Sequence, residues 1–73
     1  MNEYDIVKLK NSDLDGIVMI PSKLYMNQGV EYHSLNNVWF TDDSKRLVGD
    51  EDLELNDDRT KKFNKEIEKL YNK

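Results

Sequence analysis

The chain has 73 residues, of which 36% are charged, with a formal net charge of −4 and no cysteine. This length suits one domain, and the lack of cysteine excludes disulfide bonds and thiolate metal sites. No apolar segment approaches the ~20 residues that a membrane helix needs, and residues 1–5 lack the basic and apolar regions of a signal peptide, so we expect a cytoplasmic protein.

The first part of the chain predicts two strands separated by a turn. Residues 4–10 are rich in β-branched and aromatic types and alternate between apolar and basic side chains. Residues 11–16 are turn formers whose side chains can bond their own backbone. Residues 17–20 form a short apolar segment, which Pro21 ends, so we expect a buried strand there.

The middle of the chain predicts a second pair of strands. Residues 22–29 show no clear pattern, apart from a turn at Gly29. Residues 30–35 and 38–41 have the composition of strands, and 38–41 gives the strongest strand signal in the chain. Asn36-Asn37 is a candidate tight hairpin between them, because asparagine tolerates a positive φ.

The next segment completes a β-rich region. Residues 46–48 predict a short strand, 50–53 a single helical turn and 54–55 a last strand. Several short strands separated by turns are typical of a barrel or a sandwich. With so few residues available, we expect a mainly β fold in which 4–55 form a small five-stranded barrel.

A change of period near residue 58 predicts an amphipathic α-helix over 58–72, with Asp57 or Asp58 as its N-cap. We expect its apolar face to dock on the barrel or on another chain, since an isolated helix of ~15 residues is marginal in water. That face carries Phe63, Ile67, Leu70 and Tyr71.

Two patterns that can carry chemistry are weak. The only histidine, His33, is next to Ser34, but neighbouring strand residues point to opposite faces and cannot form a base–nucleophile pair, so we expect no enzyme. Residues 11–18 match the start of a calcium loop, yet the position of its bidentate glutamate is Ser22. An Asx-rich turn is the better interpretation, and we expect no metal or other cofactor.

Aromatic residues are the strongest candidates for binding. Trp39 and Phe40 face opposite sides of one predicted strand, so at least one of them can lie outside the core. A small domain without disulfides needs aromatic side chains for its core, and we expect most of them to be buried. Those left exposed, with Tyr25 and Tyr32 as candidates, would build a peptide groove or a base-stacking platform.

The charge pattern bears on the partner. Residues 42–58 carry eight acids and two bases, a net charge of −6, and residues 59–73 carry two acids and six bases, a net charge of +4. The acidic body disfavours non-specific nucleic-acid binding, which needs a positive face. The acids near residues 50–58 are better explained as a solvated edge and a helix start than as a phosphate mimic.

The order of short motifs along the chain resembles that of small SH3-like barrels, which occur among short bacterial and phage proteins and among KOW-type modules. The segments that carry this resemblance are 5–10, 16–18, 38–40 with 42–43, Val48 and 52–55. It covers residues 4–55 and implies a five-stranded SH3-like barrel that serves as a binding module, without implying a particular ligand. The chain lacks alanine and has nine lysines against two arginines, which suggests a low-GC bacterium, its phage or a mobile element.

These observations favour a single-domain, non-enzymatic interaction module that binds a protein through some of Tyr25, Tyr32 and Trp39. The helix face with Phe63, Ile67 and Leu70 is a second candidate surface and an alternative site of self-association. A structural role as an assembly subunit is a further alternative. A nucleic-acid-associated module is the other, and its contacts would be Arg59, Lys61, Lys62, Lys65 and Lys69.

Overall fold

The computed structural model describes residues 1–71, which form seven β-strands, one 3₁₀ turn and a C-terminal α-helix. The strands are β1 (Ile6–Leu9), β2 (Asp15–Ile20), β3 (Leu24–Asn27), β4 (Val30–His33), β5 (Asn36–Phe40), β6 (Lys45–Val48) and β7 (Leu53–Leu55). The 3₁₀ turn spans Asp50–Asp52, and the helix α1 spans Asp57–Tyr71. The predicted mainly β fold with a C-terminal helix is confirmed.

Five of the strands form one antiparallel sheet in the order β6-β5-β2-β1-β7, and this sheet curls into a half-barrel. β1 lies between β2 and β7, so the last strand returns to the side of the first. β3 and β4 form a separate two-stranded hairpin, which follows β2 and precedes β5 in the chain.

Alternation along the strands sorts side chains onto two faces of the sheet. Val7, Gly16 and Phe40 are direct cross-strand partners, and all three are buried on the concave side. Since successive strand residues point to opposite faces, their neighbours Ile6, Ile17 and Trp39 form a row on the other side. The buried core consists of Val7, Val18, Val38, Phe40, Val48 and Leu53.

The predicted tight hairpin at Asn36-Asn37 is wrong, because both asparagines lie inside β5. β4 pairs with β3 instead, so the segment 22–29 that showed no clear pattern supplies a strand. The turn between β3 and β4 is formed by Gln28 and Gly29, whose φ values of 52° and 77° are those of a two-residue hairpin loop. The predicted turn at Gly29 is confirmed.

Asn36 is fully buried, and the hydrogen bonds of its side chain hold it inside the sheet instead of in an exposed turn. Its Nδ2 donates to Val48 O at 2.9 Å and to Asp50 Oδ1 at 2.7 Å, and its Oδ1 accepts from the Ser22 N–H at 2.8 Å. This one amide therefore connects the segment after β2, the end of β6 and the 3₁₀ turn.

Hydrogen bonds attach the N-terminal end of helix α1 to β1. Asn56 N–H donates to Ile6 O, and the Ile6 N–H donates to Thr60 Oγ1 at 2.8 Å. Asn56 Oδ1 accepts from the Arg59 N–H at 3.1 Å, so the N-cap is Asn56 and the prediction of Asp57 or Asp58 is wrong. Both aspartates lie in the first turn, where their charge favours the helix dipole. The predicted helix is otherwise confirmed, although residue 72 lies outside the described residues.

Within residues 1–71, no helix combines the length and the apolar character that crossing a membrane requires.

Candidate functional site

The outer face of the five-stranded sheet carries one continuous row of side chains. Ile6, Ile17, Trp39 and Lys45 are successive cross-strand partners on β1, β2, β5 and β6. Ile6 and Ile17 are half-buried, whereas 42% of Trp39 is exposed. Directly opposite residues share a face and touch, so three adjacent strands present an apolar strip.

Helix α1 lies beside this strip and turns it into a groove. Because Asn56 and Thr60 attach the start of the helix to Ile6, the first turns of α1 are held along the β1 side of the outer face. The groove has a volume of about 390 Å³, which is within the range of ligand pockets. Its lining comprises Ile6, Asp15, Gly16, Ile17, Trp39, Phe40, Thr41, Arg59 and Phe63, and we call it the Trp39 groove.

Charged groups lie at the margins of the Trp39 groove and leave its floor apolar. Arg59 Nη1 lies 3.5 Å from Asp15 Oδ2, which joins the helix to the start of β2. On the opposite side, Lys45 Nζ lies 4.4 Å from the centroid of the Trp39 ring, a cation–π contact that holds the indole against β6. The arrangement suits a bound apolar side chain whose flanking polar groups can contact the charged margins.

The structure corrects the expectation that most aromatic residues are buried. Among residues 1–71, Phe40 is the only aromatic side chain in the buried core, and more than two-fifths of the surface of Tyr25, Tyr32 and Trp39 is exposed. Compact valines at three central strand positions fill the concave face, and the indole is therefore excluded to the convex face.

The structure does not bring the three predicted binding aromatics together. Tyr25 and Tyr32 are cross-strand partners in the β3–β4 hairpin, where their rings stack with centroids 6.1 Å apart. Neither lines the Trp39 groove, which is shared instead with Phe63 of the helix. The predicted set therefore divides into two separate surfaces.

The apolar face of the helix is only partly covered. Phe63 packs edge-to-face against Tyr4, with ring centroids 6.3 Å apart, and both Phe63 and Ile67 are half-buried. Leu70 and Tyr71 are 71% and 83% exposed. The predicted docking on the sheet is thus seen for the first turns of α1, and the last turn presents its apolar residues to solvent.

Residues considered for catalysis or metal binding are held by other contacts. Ser34 Oγ accepts from the Lys23 N–H, and Ser22 Oγ bonds Asp50, so neither serine is paired with His33 within residues 1–71. Of the candidate calcium-loop carboxylates, Asp13 lies in the turn after β1 and is close to Lys8, and Asp15 lies at the start of β2 and is close to Arg59. The part of the chain that the structure describes contains no cluster of three or more potential metal ligands among its His, Asp and Glu residues.

The cations proposed for nucleic-acid contact all belong to α1 but do not share one environment. Arg59 is engaged by Asp15 and lines the Trp39 groove. Lys62 lies at the side of the helix near Ile6, together with Glu66. Lys61, Lys65 and Lys69 are exposed, at intervals of four residues.

Sequence reasoning missed most of the groove. Ile6, Ile17 and Arg59 line it, yet the two isoleucines were assigned only to strands and Arg59 only to a basic tail. The alternation in residues 4–10 is enough to place Ile6 and Val7 on different faces of the sheet. Aligning Ile6 with Ile17 and Trp39 also requires the cross-strand register.

Compared with protein-family models, curated proteins and solved structures, the chain matches none.

Proposed function

We propose that the chain is a non-enzymatic, SH3-like interaction module that binds a partner protein through the Trp39 groove. The observation that carries this proposal is the placement of Trp39. A chain of 73 residues without disulfides has little apolar surface to spare, yet its only tryptophan lies 42% exposed beside Ile6, Ile17 and Phe63. Tryptophan is among the residue types most enriched at the energetic centres of protein interfaces.

The strand order supports the SH3-like part of the proposal. The segment Asp52–Leu55, which carried part of the resemblance, contains β7, and β7 returns to pair with β1. The acidic turn after Phe40 joins β5 to β6, as the resemblance implies.

The charge distribution of the groove indicates what the partner presents. Its floor is apolar, and its margins contain both signs, with Arg59 and Lys45 as cations and Asp15 as an anion. A short peptide segment with one or two large apolar side chains and polar flanks fits this chemistry. Phosphate-rich nucleic acid would meet Asp15 within the same groove.

Selection from a random peptide library displayed on phage tests the proposal. We expect enrichment on the unmodified chain and loss of binding by about tenfold or more with Trp39→Ala, the size of effect of removing a central aromatic anchor. Leu47→Ala is the matched control, because Leu47 is 67% exposed on β6 and does not line the groove. Equal binding by the Trp39 variant and the unmodified chain would show that the groove is not the site.

A further inference from the structure

The β3–β4 hairpin exposes apolar side chains on both of its faces. At about 100 Å² for each half-exposed large side chain, the face with Tyr25, Val30 and Tyr32 presents roughly 300 Å² of apolar surface, and the opposite face roughly 200 Å². The larger of the two is comparable to the largest apolar patch on a typical monomer. A two-stranded hairpin is also marginally stable alone in water, so a neighbouring layer or strand would stabilise it. Its five large apolar residues, each 46–61% exposed, are Leu24, Tyr25, Met26, Val30 and Tyr32.

Hydrogen-bond alternation shows which backbone groups of β4 are free. The Ser34 N–H donates to Lys23 O, in the same register that pairs Tyr32 with Tyr25. Since hydrogen-bonded pairs alternate along an antiparallel ladder, Tyr32 bonds inward to β3. The N–H and C=O groups of Glu31 and His33 therefore point to the outer edge of β4. Within residues 1–71, no strand pairs with that edge.

We propose that the outer edge of β4 pairs antiparallel with the same edge of a second copy of the chain, centred on Tyr32. The two hairpins then form one four-stranded sheet. Tyr32 lies opposite Tyr32 of the second copy, and Glu31 lies opposite its His33 on either side of the two-fold axis. The two Glu31–His33 pairs exchange four backbone hydrogen bonds through the groups that point outward.

Side-chain chemistry favours a second copy as the occupant and favours this register. Each Glu31 carboxylate faces an imidazole, whereas a register centred on Glu31 would place two carboxylates directly opposite each other. The stacked pair of Tyr25 and Tyr32 continues across the axis into a row of four tyrosines on one face. This surface is separate from the Trp39 groove, so the dimer and the proposed peptide binding fail or succeed independently.

Sedimentation equilibrium combined with amide hydrogen exchange tests the pairing on the unmodified chain. We expect a concentration-dependent dimer in which the amides of Glu31 and His33 become protected as protein concentration rises. The outward amides of β3, at Leu24 and Met26, are the internal control and stay unprotected. A monomer at every concentration, or protection of the β3 edge instead, would overturn the proposal.

A matched pair of proline variants separates the two edges of the hairpin. Glu31 and Met26 are cross-strand partners, and both amides point away from the ladder, so proline at either position leaves the inner hydrogen bonds intact. We expect Glu31→Pro to weaken the dimer by more than about a hundredfold, through loss of two backbone hydrogen bonds and a steric block, and Met26→Pro to leave it within about threefold. The opposite order would assign the interface to β3.

Charge exchange tests the register without disturbing the backbone. His33→Glu places like charges opposite each other twice, and we expect dimerisation to weaken by about tenfold. Adding Glu31→Lys to that variant places a lysine opposite each introduced glutamate and should return the affinity to near its original value. Failure of the double variant to recover would reject this register, and loss of the dimer on Leu70→Glu alone would assign self-association to the helix instead.

Discussion

At the scale of single residues, Asn36 shows how a polar side chain fixes this fold. It is completely buried and makes three hydrogen bonds, to Ser22, Val48 and Asp50. Asn36→Leu keeps the branched shape of the side chain but leaves these groups without their partner, and we expect a loss of about 2–3 kcal/mol in the free energy of unfolding. Asn37→Leu, one residue along the strand, should change stability by less than about 0.5 kcal/mol. Urea unfolding of both variants measures the difference, and equal stabilities would contradict this account of Asn36.

Gly16 is a second residue whose role lies in packing. A Cβ there would lie 2.7 Å from Phe40 Cδ1 and 2.9 Å from the Trp39 carbonyl oxygen, so β2 and β5 approach too closely for a side chain at this position. We expect Gly16→Ala to destabilise the chain by about 1–3 kcal/mol. Gly49→Ala is the control, because its Cβ would meet only the flexible Glu51 carboxylate. Thermal unfolding that ranks the two variants in the reverse order would show that this close approach is not limiting.

At the scale of elements, the junction of helix α1 with β1 decides whether the Trp39 groove has a second wall. Asn56 caps the helix, and it lies directly before the first turn that carries Arg59. Asn56→Ala should cost about 1 kcal/mol and fray the start of the helix. We therefore expect increased quenching of Trp39 fluorescence by acrylamide as the wall loosens. Asp57→Ala removes the residue that the sequence suggested as the cap, and a larger effect from that variant would contradict the assignment.

The elements also show what could be predicted from the sequence. The helix was predictable because its apolar residues repeat at a helical period, and β5 was predictable from Val38, Trp39 and Phe40. β4 and the turn at Gly29 were also predictable, but β3 was not, because Leu24, Tyr25 and Met26 are apolar on both faces and show no alternation. Asn36 was misassigned because its turn propensity is local, whereas its burial depends on Asp50 and Val48, which are distant in sequence. Most of the groove could not be predicted, because its lining depends on cross-strand register.

At the scale of the whole molecule, the Asp50 carboxylate links chain stability to pH. The hydrogen bond from Asn36 and the contact with the Met1 ammonium group, 2.9 Å away, lower the pKa of the Asp50 carboxyl below its usual value. A lowered folded-state pKa means that the stabilisation is present above the unfolded-state pKa and is lost as pH falls through the folded-state value. We therefore expect the free energy of unfolding to decrease as the pH falls through the lowered pKa of Asp50.

The variant Asp50→Asn isolates this effect from that of Asp42, whose pKa is lowered by hydrogen bonds from Ser44. In urea unfolding across the acid range, the difference in stability between the unmodified chain and Asp50→Asn should shrink as pH decreases. A difference that stays constant with pH would mean that Asp50 does not contribute through its charge.

Taken as a whole, the molecule places a small valine-rich core on one side of a curled sheet and leaves its tryptophan on the other, beside a helix. Nuclear magnetic resonance mapping with a library-selected peptide tests most directly whether that groove binds a partner. We predict that the largest shifts occur at the Ile6 and Ile17 methyl groups and at the Trp39 indole N–H. Shifts confined to the β3–β4 hairpin or to Leu70 at the helix end, with the groove unchanged, would contradict the proposed function.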